Sequence, residues 1–512
     1  MVTMVQDKVS YLPTVEWEGL QRGYEIPRVY ASPALPKGTR RIDLWRDEAY
    51  KIRGKVIGVG FDALDDDSGE VVAGTSLPAV TITGSDEMEG MQLPTEENGD
   101  LVEPHDFYTL PNTHIRSRTT TYISGESTET FEYELGLWCV QRTAVPTAEP
   151  VRLTEWYMNG PDMGIIYPRS MIRKLTEEYE KRPMGSDGVY PGISLKHEHH
   201  CGYAIIQHGD RRFIIFEVPK GCGPAWSRNL GIEYRPEWGG IPSDDEREAI
   251  SEIVSFVVGR RLLHIGHTTF DSSGWPIDEV SYNPWGDNVM ALCGRHDRSP
   301  IKLDPFAERR RLEVVLQQVV LPYLALRDEL GLKDALWRYW LSRESTSGID
   351  LPIISAAVET LAGKWLKSNK SQTQGVYLPK EQYDAIVRDS FAAISQQLEG
   401  VAGKERIMRT LENAYQITGV RAKIDTFFSE LGLPIGPAEN KTINARHAPA
   451  HGASITSDAE FKKILRASDA YHTLFERVML KLLGYQGAYL DRSTPGWPET
   501  PIDRPMAGWL NQ

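Results

Sequence analysis

The chain has 512 residues, 40% hydrophobic and 25% charged, with a formal net charge of −14. At about 100–200 residues per domain this gives two to four domains, each with a real core, and the composition excludes a disordered chain. Mean hydropathy is −0.39, and no apolar run approaches the roughly 18 residues of a membrane span.

The opening stretch MVTMVQDKVSYLPTVEWEG lacks the basic-then-apolar order of a secretory signal. Cys139, Cys201, Cys222 and Cys293 are widely spaced with no CxxC pair. Reduced thiols and a cytoplasmic location are therefore expected. Residues 301–512 carry 27 Lys+Arg and 25 Asp+Glu, against 30 and 46 in the first 300. The acidity belongs to the N-terminal part, and the near-neutral remainder leaves room for a local basic groove.

In chain order, the first part reads mostly as β. Residues 51–61 are rich in β-branched residues and glycine, and residues 118–124 and 130–142 read as neighbouring strands across an SGES turn. The long Pro/Gly/acidic stretch 84–111 is expected to be a mobile surface loop. The clearest hairpin joins YAIIQ (203–207) to RFIIFEV (212–218) around Gly209-Asp210. Two helices are expected among the strands, at about 170–181 and 243–258, the second opened by the acids of DDERE.

From residue 305 the apolar spacing turns helical. Helices are expected over 305–330, 333–342, 349–367, 380–398, 403–418, 423–431 and 457–483. The expected architecture is α+β and multidomain: a β-rich region (1–304), to which the family resemblance given below assigns a sensor or regulatory role, an all-α bundle (305–490) and a Pro/Gly-rich tail (491–512).

The chain has no GxxxxGK[ST], no GxGxxG after a strand, no GxSxG and no HExxH. A nucleotide-driven motor or a dehydrogenase is not expected. Two histidine clusters remain. In the first, KHEHHC (196–201), a strand would put His197, His199 and Cys201 on one face. Nothing at recognised ligand spacing completes a metal site there, and a solvated polar edge is expected. The second, NARHAPAHG (444–452), sets Arg446, His447 and His451 within six residues. A fixed cation beside titratable imidazoles can cleave RNA without metal: one group takes the 2′-hydroxyl proton, another protonates the leaving 5′-oxygen, and the guanidinium neutralises the phosphoryl oxygens. Two copies across a dimer axis would supply these groups in duplicate.

Arg446-x4-His451, with polar His447 after the Arg and Gly452 after the His, resembles the R-x(4–6)-H signature of the HEPN ribonucleases, which lies just before or at the start of a late helix. The layout is most similar to ApeA-like anti-phage defence proteins, and TEWYMNGPD (154–162) resembles their N-terminal regions more weakly. The resemblance implies a HEPN-like helical bundle, catalytic Arg446 and His451 with His447 as a second titrating group, and a homodimer or higher oligomer. It also implies an RNA substrate (tRNA or mRNA), no cofactor or metal, and a toxin-like, abortive-infection role answering a phage-derived trigger.

Arg260 and Arg261 ahead of His267, and Arg466 ahead of His472, fit the spacing too. The first set lies in an expected strand. The second lies inside the last helix, where His472 is expected to pack at the core edge. Pro449 inside the motif breaks helical geometry and lets Arg446 and His451 converge. Asn444 is expected to cap or support, and Glu359, in an otherwise apolar helix, either faces solvent or orients the motif. Two other readings are a non-catalytic HEPN dimerisation or nucleotide-binding protein, and a carbohydrate-binding or carbohydrate-active protein. The latter would use Trp17, Trp45, Trp138, Trp156, Trp226 and Trp238, with Trp226 and Trp238 the better surface candidates.

Overall fold

The computed structural model describes residues 24–26, 38–59, 80–84, 106–110, 114–122, 129–143, 149–161, 169–174, 198–218, 224, 226–272, 276–285, 289–293, 298–346, 348–445 and 457–508. The chain forms two compact units. The first comprises Met1–Asp244, Arg260–Arg298 and Leu303–Val314; the second comprises Asp245–Gly259, Ser299–Lys302 and Val315–Gln512. Strands and helices both contribute, which makes the class mixed α+β. The units cut across the 304/305 boundary read from the sequence.

Among the described residues, two antiparallel sheets build the first unit. One has the order β1-β2-β3-β7-β6, from Tyr24–Ile26 (β1), Thr39–Arg46 (β2), Ile52–Val59 (β3), His114–Tyr122 (β6) and Glu129–Gly136 (β7). The other runs β10-β11-β12-β13-β9-β14-β15-β8-β5-β4. Its strands are Val80–Gly84 (β4), Asp106–Leu110 (β5), Cys139–Thr143 (β8), Arg152–Met158 (β9), Arg169–Lys174 (β10), Glu198–His208 (β11), Arg211–Glu217 (β12), Leu230–Tyr234 (β13), Leu263–Phe270 (β14) and Pro276–Tyr282 (β15). The expected hairpin is β11–β12, in register from Tyr203↔Phe216 to His208↔Arg211, with Gly209 at φ +58° in the turn. Glycine meets that left-handed geometry without a Cβ clash.

Alternation of side chains puts Ile214 and Phe216 into a core with Trp156, Met158, Leu263 and Trp238. Cys293 lies in the same core, and burial pushes its thiol up to about 11, against the hydrogen bond from Ser227 and the charge of Arg260. The Phe216 ring lies directly on Gly231, where an added Cβ would stand 2.0 Å from a ring carbon.

Three expectations are corrected in this unit. Residues 169–174, read as the start of a helix, are strand β10, paired with β11 at Met171↔Cys201; residues 175–181 lie outside the described residues. Within the expected loop 84–111, residues 106–110 form β5, hydrogen-bonded between β4 and β8. Trp238 is not a surface platform: it is buried, under the Arg235 guanidinium at 4.7 Å from its ring centroid. Trp226 packs partly buried against the same core, and Trp138 is exposed.

The α-helices among the described residues are α1 (Asp244–Val258), α2 (Val289–Cys293), α3 (Leu312–Leu326), α4 (Leu332–Glu344), α5 (Asp350–Trp365), α6 (Lys380–Gln397), α7 (Lys404–Glu412), α8 (Val420–Glu430), α9 (Pro437–Ala445) and α10 (Asp458–Leu482). All but α2 and the first residues of α1 and α3 lie in the second unit. There α5 packs against α4, α8 and α10, and α10 against α9. The start of α10 is capped by Ser457, whose Oγ accepts from the Glu460 amide, with Asp458 and Glu460 in the first turn.

Helix α1 joins this unit through Arg327, which is buried. Its Nε donates to Glu252 Oε2 (2.8 Å), its Nη2 to Glu252 Oε1 (3.0 Å) and Glu248 Oε2 (3.0 Å), and its Nη1 to Asp245 Oδ1 (2.7 Å). The three carboxylates sit three to four residues apart, on one helical face. Hydrogen bonding to Glu252 holds the Arg327 guanidinium above its ordinary range, and burial opposes it.

Residues 491–508, read as a tail, are built into the unit. Asp491 is fully buried and accepts from the amides of Ser493 and Ala507 and the hydroxyl of Thr494, and Ile502 and Met506 are buried.

Gly231→Val should lower stability by about 3 kcal/mol, because the Phe216 ring must leave its seat. Urea denaturation should show the loss, and Phe216→Leu in the same chain should recover part of it. Arg327→Met should cost about 3 kcal/mol by leaving Glu252 without its cation; an unchanged melting midpoint would refute this role.

Glu430 supplies an acid-side test. Burial pushes its carboxyl up, but hydrogen bonds from Trp365 Nε1 (2.7 Å), the Thr373 amide (2.9 Å) and Ser371 Oγ (3.3 Å) outweigh this and hold it below the usual 4.5. A depressed folded value stabilises above the unfolded pKa and is lost as pH falls through the folded one. Stability should therefore drop below about pH 4.5, and Glu430→Gln should flatten that limb of the pH profile.

Candidate functional site

The motif follows helix α9, whose start is specified locally. Gly436 is its N-cap position, Pro437 takes the first helical place, where its missing N–H costs nothing, and Glu439 reaches back to accept from the Gly436 amide (3.0 Å). Ala438, Glu439, Thr442 and Ile443 are buried, while Lys441 and Asn444 are exposed.

An ion pair with no solvent-exposed side-chain surface seats this start. Arg477 Nη1, from α10, donates to Glu439 Oε1 (2.9 Å) and to the Pro434 carbonyl (2.9 Å), and its Nε donates to the Ile502 carbonyl (3.0 Å). The Met506 amide donates to the same Glu439 oxygen at 2.6 Å. Desolvation lowers the Arg477 pKa from its ordinary value, and Tyr489, whose ring lies 5.6 Å away, and Glu439 oppose the shift.

The other end of α9 is held by Arg421 of α8. Its Nε bonds both oxygens of Asp425 (2.9 and 2.8 Å), its Nη2 donates to Asn440 Oδ1, and its Nη1 donates to Asn444 Oδ1 at 3.3 Å. The expected supporting residue Asn444 is thus in the last turn of α9, engaged by a cation.

Arg446 is the next residue after α9 ends. Arg446, His447 and His451 lie outside the described residues, which resume at Ser457, the cap of α10. The motif therefore joins two helices of one unit that pack on each other. In the first turns of α10, Phe461, Lys462, Lys463 and Arg466 are exposed. Glu359 is partly buried on α5, a helix that also packs against α10.

His472 is a core residue. It is buried, with Nε2 2.9 Å from Ser342 Oγ and Nδ1 2.9 Å from the Ser468 carbonyl. One turn further along the same helix, Glu476 accepts from Tyr339 Oη (2.8 Å) and Arg492 Nη1 (3.0 Å). His267 lies on β14 in the other unit. His197 is outside the described residues; Glu198 to Cys201 open β11, as the strand reading required of the backbone. No cluster of metal-ligating side chains occurs among the described residues.

Helix α9, the Arg477–Glu439 pair and the Arg421 contacts were missed in the sequence. The available signal was Pro437 followed two residues later by Glu439, a helix-start pattern without the usual Ser or Thr cap. Comparison with known proteins returns no matching family, no matching curated protein and no matching solved structure.

Glu439→Gln should cost about 3–5 kcal/mol, because it leaves the Arg477 charge buried without its counter-ion. The double replacement Glu439→Leu with Arg477→Met should cost less than the single one. Chemical denaturation of the three proteins checks the order.

Proposed function

We propose that the protein is a metal-independent endoribonuclease of HEPN type, acting in the cytoplasm as an anti-phage or stress effector. The observation that carries this reading is the Arg446-x4-His451 motif between α9 and α10. The motif follows in sequence a helix held by Arg421 and Arg477, and the longest described helix comes after it.

In the reaction, His451 removes the proton from a ribose 2′-hydroxyl, and that oxygen attacks the adjacent phosphorus. The bond to the 5′-oxygen breaks as a second imidazole, His447 or the His451 of a second copy, delivers a proton to it. Arg446 offsets the charge that gathers on the phosphoryl oxygens. The products are a 2′,3′-cyclic phosphate and a 5′-hydroxyl. Asn444 and Glu359 support the motif, a homodimer pairs two copies of it, and the N-terminal region senses a phage-derived trigger or restrains cleavage.

Incubation with single-stranded RNA in EDTA, with and without phage lysate, tests the reading. Wild type should leave 2′,3′-cyclic ends, and Arg446→Ala and His451→Ala should each lose at least about 100-fold in rate. Equal cleavage by all three proteins would move the chemistry elsewhere.

A further inference from the structure

Inside the first unit, the turn between β2 and β3 is tied to the ten-stranded sheet by Arg46. Its Nη1 donates to the Tyr50 carbonyl (2.9 Å) and the Tyr282 carbonyl (3.0 Å), and its Nη2 to the Ile265 carbonyl (2.9 Å). Tyr50 stands in that turn at φ +64°, an uncommon backbone state for a bulky side chain. Asp47 holds it there: the Asp47 carbonyl accepts from the Tyr50 amide (2.8 Å), and Asp47 Oδ1 accepts from the Lys51 amide (2.9 Å). The Tyr50 ring is buried in one core with Trp156, and the Arg46 guanidinium lies 4.7 Å from its centroid.

Between this turn and the sheet lies a niche of about 300 Å³, partly open to solvent, whose walls include Arg46, Tyr50, Trp156, Thr268, Glu279 and Ser281. Trp156, Gly266 and Ser281 stand opposite one another on β9, β14 and β15, and Thr268 stands opposite Glu279 in the next row of the same face. A β-bulge between His264 and Gly266 disturbs the ladder at this point. Position 266 admits no side chain, because an added Cβ would stand 2.3 Å from the Val280 carbonyl oxygen. Bare backbone therefore separates the Trp156 indole from the Ser281 hydroxyl.

The polar groups around the niche are of three kinds. Arg46 only donates, the Glu279 carboxylate only accepts, and Thr268 and Ser281 do both. Trp156 Nε1 donates to Thr268 Oγ1 (3.2 Å), so that hydroxyl keeps its own proton for a further acceptor. Trp156, Thr268 and Tyr50 are buried, while Arg46, Glu279 and Ser281 are half-buried. One cation and one anion leave the niche near neutral, which disfavours a strongly charged ligand. Adjacent hydroxyls on a ring answer all three kinds of group at once, since each gives one proton and accepts others, and the C–H face of such a ring suits an aromatic wall. We propose that this niche binds a single sugar ring, as a free monosaccharide or as the ribose of a nucleoside, with Glu279, Ser281 and Arg46 engaging its hydroxyls beside Trp156 and Tyr50. The site lies wholly in the first unit, and the inference does not rest on the ribonuclease reading.

Saturation-transfer NMR on the full chain tests it, with D-glucose, D-galactose, D-ribose and adenosine as probes and glycine as a zwitterionic control. At least one sugar or adenosine should receive saturation at its ring protons, and glycine should not. Transfer to glucose or galactose marks a free sugar as the ligand, and transfer to adenosine and ribose alone marks a nucleoside. Glu279→Gln should weaken binding at least about tenfold with an unchanged melting midpoint, and Ser281→Ala should weaken it by a smaller factor. Trp156→Phe, which keeps an aromatic wall but loses the Nε1 donor, should also weaken it. Absence of transfer to every sugar and to adenosine, a preference for glycine, or binding indifferent to Glu279→Gln and Ser281→Ala would overturn the proposal.

Discussion

Arg327 is the interaction on which the second unit depends. Its guanidinium is buried, so every donor must find an acceptor, and the acceptors come from a helix more than 70 residues earlier in the chain. The acids of α1 are usually read as helix-start signals. Glu248 and Glu252 lie too far into the helix for that, and they serve a buried cation instead. A buried cation recurs at Arg477, which answers Glu439 and two carbonyls through Nε and Nη1 with no exposure to solvent. Buried guanidinium groups thus join segments distant in sequence wherever the helical unit takes in chain from outside its run of helices.

Features governed by local pattern were legible in the sequence. Alternation in YAIIQ and RFIIFEV marked β11 and β12, because one face of each strand must be apolar. The helices α4, α5, α6 and α10 followed from their spacing. Features decided by distant partners were not legible. The stretch RSMIRK suits a helix as well as a strand, and pairing with β11 settles it as β10. Trp238 sits among prolines and glycines that suggest a loop, yet the core beneath β12 and β13 takes its ring. Helix α1 was found, but its membership was not, since nothing near residue 245 announces Arg327.

The candidate site divides in the same way. Arg446, His447 and His451 are adjacent in sequence, so a motif reading finds them together. The contacts that hold α9, the helix before them, are not adjacent in sequence. Arg421 lies on another helix, and Arg477 and Met506 approach Glu439 from later in the chain. A residue-spacing search has no access to such neighbours, because their spacing is set by packing rather than by helical period.

The chain passes between its two compact units five times, at 244/245, 259/260, 298/299, 302/303 and 314/315. A fragment that begins at residue 305 therefore lacks Asp245, Glu248 and Glu252 and leaves Arg327 without these three carboxylates. Its silence in any assay would report misfolding and not the loss of a function carried by the first unit. Dissection of the two halves has to proceed by point substitution in the intact polypeptide, or by rearranged termini that carry residues 245–259 along with the helices.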